Sequence, residues 1–308
     1  MAIHIVTEAE RCLNCKRPMC QEGCPVHTPI PQIIQMFKQG KVMEAGEILF
    51  QNNPMSAICS IVCNHEQQCA GHCIRGKKDT PIHFSSIENY ISDMYLDRME
   101  IQKPEPKDKK VAVIGAGPAG LTVAIRLAQQ GYPVTVFEWE DKIGGIMQYG
   151  IPEFRLPKNI VAREIEGLKA MGVEIHTNMV IGKVFSIDDL FEEGFEAVFL
   201  GSGAGLPSFM GIPGENLKGV FSANEFLTRI NLMKAYQPGA ATPIYRGDKV
   251  VVVGGGNVAM DAARCALRLG ASEVSIVYRR SLEELPARAE EVEHAMEEGV
   301  IFRLLSNP

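Results

Sequence analysis

The chain has 308 residues, enough for about two domains that each bury a core, and its 46% hydrophobic and 22% charged residues are ordinary for a soluble globular protein. A net charge of −6 with scattered Lys and Arg excludes a basic nucleic-acid stripe. The opening "MAIHIVTEAERC" has no basic region leading into an apolar one, and the uncharged, glycine-containing run Val111–Ile125 is too short to span a bilayer, so a cytoplasmic protein is expected.

The first segment with chemistry is "RCLNCKRPMCQEGCPVHTP", which holds Cys12, Cys15, Cys20 and Cys24. In a reducing compartment, clustered cysteines bind metal or do redox work more often than they form disulfides. Ile30, Ile33, Ile34 and Phe37, then Ala45, Ile48 and Leu49, fall at helical spacing and predict helices after this loop. A second burst, "CSIVCNHEQQCAGHC", brings Cys59, Cys63, Cys69 and Cys73. The first burst reads C-x2-C-x4-C-x3-C-P, close to the bacterial ferredoxin pattern in which the fourth cysteine serves the other cluster. That crossing predicts two 4Fe–4S clusters, one held by Cys12, Cys15, Cys20 and Cys73, the other by Cys24, Cys63 and Cys69. Zinc held around Cys12 and Cys15 is the alternative metal. Residues 1–101 are thus expected to form a helical metal-bearing domain, and charged, proline-containing "QKPEPKDKK" (102–110) a linker.

After the linker the texture changes. "VAVIGAGPAGLTVAIRLAQQGYPVTVFEWE" reads as strand, glycine turn, helix and strand, and "KVVVVGGGNVAMDAARCALRLGASEVSIVYRRS" repeats that order. In the first unit Gly115, Gly117 and Gly120 fit G-x-G-x-x-G, with Ala116, Pro118 and Ala119 between them. The first glycine makes the tight turn, the second admits a pyrophosphate and the third lets helix and strand pack closely. Glu138 ends the next strand, where a carboxylate can accept hydrogen bonds from ribose hydroxyls. In the second unit Gly254, Gly256 and Ala259 fit G-x-G-x-x-A, and the strand that follows ends in Arg279 and Arg280. Guanidinium groups there suit a 2′-phosphate, so NADP is expected in the second unit and an unphosphorylated ribose in the first; the alternative is two arginines facing water. Two dinucleotide units in one chain point to a flavoprotein reductase with Rossmann-like domains, an α/β fold. Cys265 lies on an apolar helix face and reads as core.

Together these residues resemble the small (β) subunit of NADPH-dependent glutamate synthase and its relatives, among them the N-terminal half of dihydropyrimidine dehydrogenase and the large subunit of NADH-dependent ferredoxin:NADP oxidoreductase. The likeness rests on the cysteine bursts, "VIGAGPAGL", "GGIMQYGIPEFRLPK", "VVGGGNVAMDAAR" and "YRRSLEELPARAEEVEHAMEEGV". It implies a helical domain with two 4Fe–4S clusters, an FAD domain (111–227) and an NADPH domain (228–308) inserted into it. It also implies that Gly115–Ala119 and Glu138–Ile146, including Gly144, Gly145 and Ile146, line the FAD pyrophosphate and ribose. Arg155 would approach the flavin, and Gly203 and Ala204 of "GSGAG" would close over it. Asn257, Val258 and Ala259 would meet the NADPH pyrophosphate, with Arg288 assisting Arg279 and Arg280. Glu88 stands near the place where a side-chain amide completes the second cluster in one family member, with Cys59 as its rival. The chain ends at "FRLLSNP", inside the NADPH unit, where the family's chain continues and returns to the FAD domain.

Hydride transfer between stacked rings needs no general base, so no catalytic acid or base is expected. The chain opens Met1-Ala2-Ile3, without the N-terminal cysteine nucleophile that releases ammonia from glutamine, and nothing after the linker is left for a carbon substrate. The expected role is an electron-transfer subunit that passes electrons from NADPH through FAD and the clusters to a catalytic or electron-carrier protein, in a hetero-oligomer. The same motifs would serve a ferredoxin-dependent NADP reductase or bifurcating transhydrogenase subunit. A non-redox zinc-bearing scaffold is the alternative of another class.

Overall fold

The computed structural model describes residues 4–101 and 104–308. Met1–Ile3 and the linker's Gln102 and Lys103 lie outside the described residues. The chain forms two compact units: the first takes in the described residues up to Asp141 together with Asn159–Gly201, the second Lys142–Lys158 and Ser202–Pro308.

Among the described residues the first unit opens with six α-helices: α1 (Ile5–Glu10), α2 (Met19–Glu22), α3 (Ile30–Lys38), α4 (Val42–Asn52), α5 (Ser56–Val62) and α6 (Phe84–Leu96), with a short 3-10 turn at Ile74–Lys77 before the last. The spacing expected from the sequence is realised: α3 buries Ile30, Ile33, Ile34 and Phe37, and α4 buries Ala45 and Leu49. Ile87 and Ile91 of α6 complete this core, and the thiols of Cys12, Cys20 and Cys73 pack against it.

A four-stranded parallel sheet follows. β1 (Lys110–Ile114) leads into α7 (Pro118–Gln129) and β2 (Val134–Phe137). The short α8 (Ile146–Tyr149) belongs to the second unit; the chain then returns through α9 (Lys158–Ala170), β3 (Glu174–His176), α10 (Ile187–Glu192) and β4 (Phe195–Leu200). Strand order is β3-β2-β1-β4, with Val111 opposite Val134 and Ala197. The last linker residue, Lys110, is already in β1. Helices and sheet are tied within this unit by side chains. Arg126 of α7 donates to the carbonyls of Phe50 and Gln51 at the end of α4, and Arg163 of α9 pairs with Asp93 (2.7 Å) and Asp97 (2.8 Å) at the end of α6.

The second unit adds α11 (Ala223–Asn231), β5 (Lys249–Val253), α12 (Asn257–Arg268), β6 (Glu273–Tyr278), α13 (Ala289–Glu297) and β7 (Ile301–Leu304), with parallel strands in the order β5-β6-β7. Residues 142–158 and 202–227 belong here too, whereas 111–227 is expected from the sequence to form a single FAD domain. The reason is packing and hydrogen bonding. Asn231 of α11 donates to the carbonyls of Tyr149 (3.2 Å) and Gly150 (3.1 Å), and Phe154 packs with Leu227, Ile230 and Cys265. Cys265 is core, as its helix face implied, and burial pushes its thiol up to about 12. Among the described residues no helix is long and apolar enough to cross a membrane.

Candidate functional site

The two cysteine bursts are brought together by bonds that close loops far apart in sequence. Arg11, next to Cys12, pairs with Glu8 (2.8 Å) and Asp79 (3.2 Å) and donates to the Thr80 carbonyl (2.6 Å). Glu8 also accepts the His83 N–H (2.8 Å), so the end of α1 is fastened to the stretch after Cys73. The backbone of Gly23 lies against the His72 ring, where a Cβ would stand 2.4 Å from Nδ1. Cys12, Cys15, Cys20, Cys69 and Cys73 line one pocket as a result.

Their electrostatics show what the group wants. Burial raises the Cys12 thiol, and the neighbouring Cys15 and Cys73 raise it further. Cys20 is pushed up to about 11, first by burial and then by Cys73 and Cys12. Thiolates this close repel one another, and a cationic metal centre that takes them as ligands removes that repulsion.

Cys69 also has Cys24 and Glu88 as neighbours, and Cys63 lies near Cys69 and Glu88. Cys24 donates to Thr28 Oγ1 (3.3 Å), which in turn donates to Asn52 at the end of α4 (3.0 Å). Cys63 caps α5, and α5 is held to α6 by the Ser56–Ser92 hydroxyl pair (2.9 Å) and by Asn89 donating to Ser60 (3.0 Å). That places Glu88, 6% exposed, facing the thiols. Its carboxyl is raised well above the usual range, by burial first and then by Cys59 and Cys24. Cys69 is pushed up to about 12 by burial, with Glu88 and Cys24 adding to it. Cys59 stands apart in its bonding: it accepts from Asn53 Nδ2 (3.2 Å) and from Cys63, which lowers its thiol.

The first glycine loop follows β1 as its pattern requires. Gly115 has φ +97°, and a Cβ on Gly120 would lie 1.8 Å from the Gly115 carbonyl oxygen. Pro118 and Ala119 are exposed, and α7 starts without a side-chain cap, so its first N–H groups are open to a phosphate. Glu138 is 3% exposed; its carboxylate accepts from the N–H groups of Ala116 (2.6 Å) and Glu140 (3.0 Å), bracing the loop from below. These features fit a dinucleotide.

In the second unit Gly254 (φ +137°) opens the corresponding loop and α12 also starts uncapped, with Val258 half-exposed and Ala259 buried. Asn257 Oδ1 accepts the Arg288 N–H (2.9 Å), and Gly255 O accepts the Ala287 N–H (3.1 Å), which joins the start of α13 to the loop. Arg279 and Arg280 are exposed beyond β6, whereas Arg288 is buried and paired with Glu290. The loop and the two exposed guanidiniums suit a phosphorylated dinucleotide. Gly144 and Gly145, both at positive φ, Ile146, and the exposed Gly203 and Ala204 also fall in this unit. The Arg155 side chain is 6% exposed and its Nη1 and Nε are taken by Asp261 (2.7 Å) and Glu291 (2.9 Å), partners that no sequence motif announces.

A family model described as dihydropyrimidine dehydrogenase domain II, 4Fe-4S cluster, matches residues 2–100, and one described as pyridine nucleotide-disulphide oxidoreductase matches residues 109–308. The chain belongs to the pyridine nucleotide-disulphide oxidoreductase family. By its two matched domains it is an iron–sulfur and FAD/NADP-type oxidoreductase. It is 38% identical to the small chain of NADPH glutamate synthase from Halomonas elongata over 98% of its length, and 36% identical to the corresponding Escherichia coli chain. The NADPH-Fe(3+) oxidoreductase β subunit of Geobacter sulfurreducens is 40% identical over 92% of the chain. The chain spans 65% of the two glutamate synthase small chains and 42% of the Geobacter subunit. Mycobacterium tuberculosis FprA in complex with NADPH shares the fold, with a TM-score of 0.54 and 24% identity over 63% of this chain and 48% of that one.

Proposed function

We propose that the protein is an electron-transfer subunit that takes electrons from NADPH and delivers them to a protein partner of the glutamate synthase large-subunit or ferredoxin-like kind. The observation that carries this is the convergence of thiols from both cysteine bursts, with Cys12, Cys15, Cys20, Cys69 and Cys73 around one pocket, in a chain that also bears two glycine loops. Glutamate synthase small chains and the Geobacter NADPH-Fe(3+) subunit among the relatives support it.

Cys12, Cys15, Cys20 and Cys73 would hold one 4Fe–4S cluster; Cys24, Cys63 and Cys69, with Glu88, the other, leaving Cys59 bonded to Asn53. Gly115–Gly120 and Glu138 would hold FAD, with the resemblance adding Gly144, Gly145, Ile146, Gly203 and Ala204. Gly254, Gly256, Asn257, Val258 and Ala259 would receive the NADPH pyrophosphate, and Arg279 and Arg280 its 2′-phosphate. When bound, FAD accepts two electrons from a nicotinamide and releases them singly, and the clusters carry single electrons. The chain's own residues would bind and orient these groups.

Anaerobically prepared protein should contain about eight iron and eight sulfide per chain, as two 4Fe–4S centres require. Cys24→Ser should lose about half of the iron, and Cys59→Ser should keep it. A colourless, zinc-containing protein would refute the reading. Iron lost from Cys59→Ser and kept in Cys24→Ser would overturn the ligand assignment.

A further inference from the structure

We propose that Arg155 is a positioning residue for the nicotinamide-nucleotide site: its guanidinium clamps α12 to α13 and so sets Asn257 and Arg288, the first residue of one helix and the N-cap of the other. This rests on the NADPH reading given above.

Two stitches join these helices. The first is at the glycine loop, where Asn257 accepts the Arg288 N–H (2.9 Å). The second lies about one turn further in. Arg155 Nη1 donates to Asp261 Oδ2 (2.7 Å) and its Nε to Glu291 Oε1 (2.9 Å). Asp261 is four residues beyond Asn257 and Glu291 three beyond Arg288, so each carboxylate sits on the turn that carries the residue to be set. Glu291 also accepts from Arg264 (2.8 Å), so two cations and two anions with side chains between 4% and 8% exposed meet here, and Arg264 pairs in addition with the less buried Glu298 (2.8 Å), which Arg268 shares. The neighbouring Phe154 ring lies 4.5 Å from the Arg264 guanidinium and packs into the core with Leu227 and Ile230, which fixes the segment that carries Arg155.

Without Arg155 the buried cation left facing the Asp261 and Glu291 carboxylates on adjacent helices is Arg264, which is also engaged by Glu298. Buried like charges repel strongly and an unpaired buried charge is costly, so the helices must part or take in water. Parting them moves Asn257 away from Arg288. Lysine does not replace the fork, because a single ammonium cannot present two fixed donors to two carboxylates.

The test uses Arg155→Gln, Arg155→Lys and Arg155→Gln with Asp261→Asn. Hydrogen exchange without nucleotide reads the clamp directly: backbone amides of 255–262 and 287–292 should exchange at least about tenfold faster in Arg155→Gln, with β6 unchanged. NADP+ binding by calorimetry should weaken about tenfold or more, with iron content unchanged. Adding Asp261→Asn removes the surplus negative charge and should restore most of the binding and protection. Should Arg155→Gln fail to fold, Arg155→Lys should fold and show intermediate exchange; behaviour like the parent would overturn the proposal. Unchanged exchange at those amides overturns it as well. A binding loss that Asp261→Asn does not relieve also overturns it and marks Arg155 as a direct contact of the nucleotide or flavin. Absence of NADP+ binding by the parent chain would instead sink the NADPH reading, and the exchange comparison would still judge the clamp.

Discussion

Glu138→Gln tests whether the first glycine loop is held ready by a carboxylate. Glu138 is 3% exposed, with one oxygen accepting the Ala116 N–H at 2.6 Å and the other the Glu140 N–H at 3.0 Å. A hydrogen bond to a charged group contributes about 1.5–3 kcal/mol. Glutamine keeps one acceptor oxygen, and its NH2 must then face one of the two N–H donors. At least one bond is lost and a buried donor is left against another donor, so the substitution should cost roughly 2–4 kcal/mol. For a unit of this size, that lowers the melting temperature by about 4–15 °C. The same loss falls on the loop between Gly115 and Gly117, so flavin bound after FAD loading should drop about thirtyfold or more in affinity. Calorimetric melting and flavin-to-protein ratio after desalting read the two effects. Glu138→Asp serves as the control: it keeps the charge, and its shorter reach should recover only part of either effect. A Glu138→Gln protein that melts within about 1 °C of the parent and retains FAD equally would show that the carboxylate does not brace the loop.

Replacing both Arg279 and Arg280, the exposed pair beyond β6, by Ala should weaken NADPH binding about a hundredfold or more while leaving NADH nearly unchanged, since each charge-assisted bond to a 2′-phosphate is worth about 1.5–3 kcal/mol. Equal losses for both nucleotides, measured by fluorescence titration, would mean the arginines support the fold. Glu164 on α9 is 5% exposed, its Oε1 has no hydrogen-bond partner, and burial pushes its carboxyl up to about 7 against the opposing pull of Arg163. The folded state therefore holds a proton that the unfolded chain releases above about 4.5, so this group's contribution to stability falls as pH rises from about 4.5 to 7, on the order of 3 kcal/mol in all. Glu164→Gln should melt several degrees above the parent at pH 7.5, with the gap closing toward pH 4.5; parallel melting curves at the two pH values would show that Glu164 ionises freely in the folded protein.

What could be read from the sequence was what repeats locally. The glycine loops stand between an apolar strand and an amphipathic helix, and their turns need positive φ at Gly115 and Gly254, so a few adjacent residues fix them. The helices of the first segment announce themselves by the spacing of Ile30, Ile33, Ile34 and Phe37. That cysteines from both bursts meet around one pocket has no backbone pattern to announce it; only the crossed ligation of two-cluster ferredoxins suggests that distant cysteines should converge. The placement of residues 142–158 was not legible, because Arg155 meets Asp261 and Glu291 more than a hundred residues later and ion pairs have no period along the chain. A weaker signal was there. Asp261, Arg264 and Arg268 recur at three and four residues on α12, and Glu291 and Glu298 stand seven apart from the start of α13. Each set occupies one helix face, and together the two faces are complementary in charge. Charged residues repeating on the face of an otherwise alanine-rich helix need buried partners, and "GIPEFRLPK" offers one cation between apolar neighbours. Charge balance therefore points from that arginine to the second unit, and the buried pairs with Asp261 and Glu291 are where the structure satisfies it.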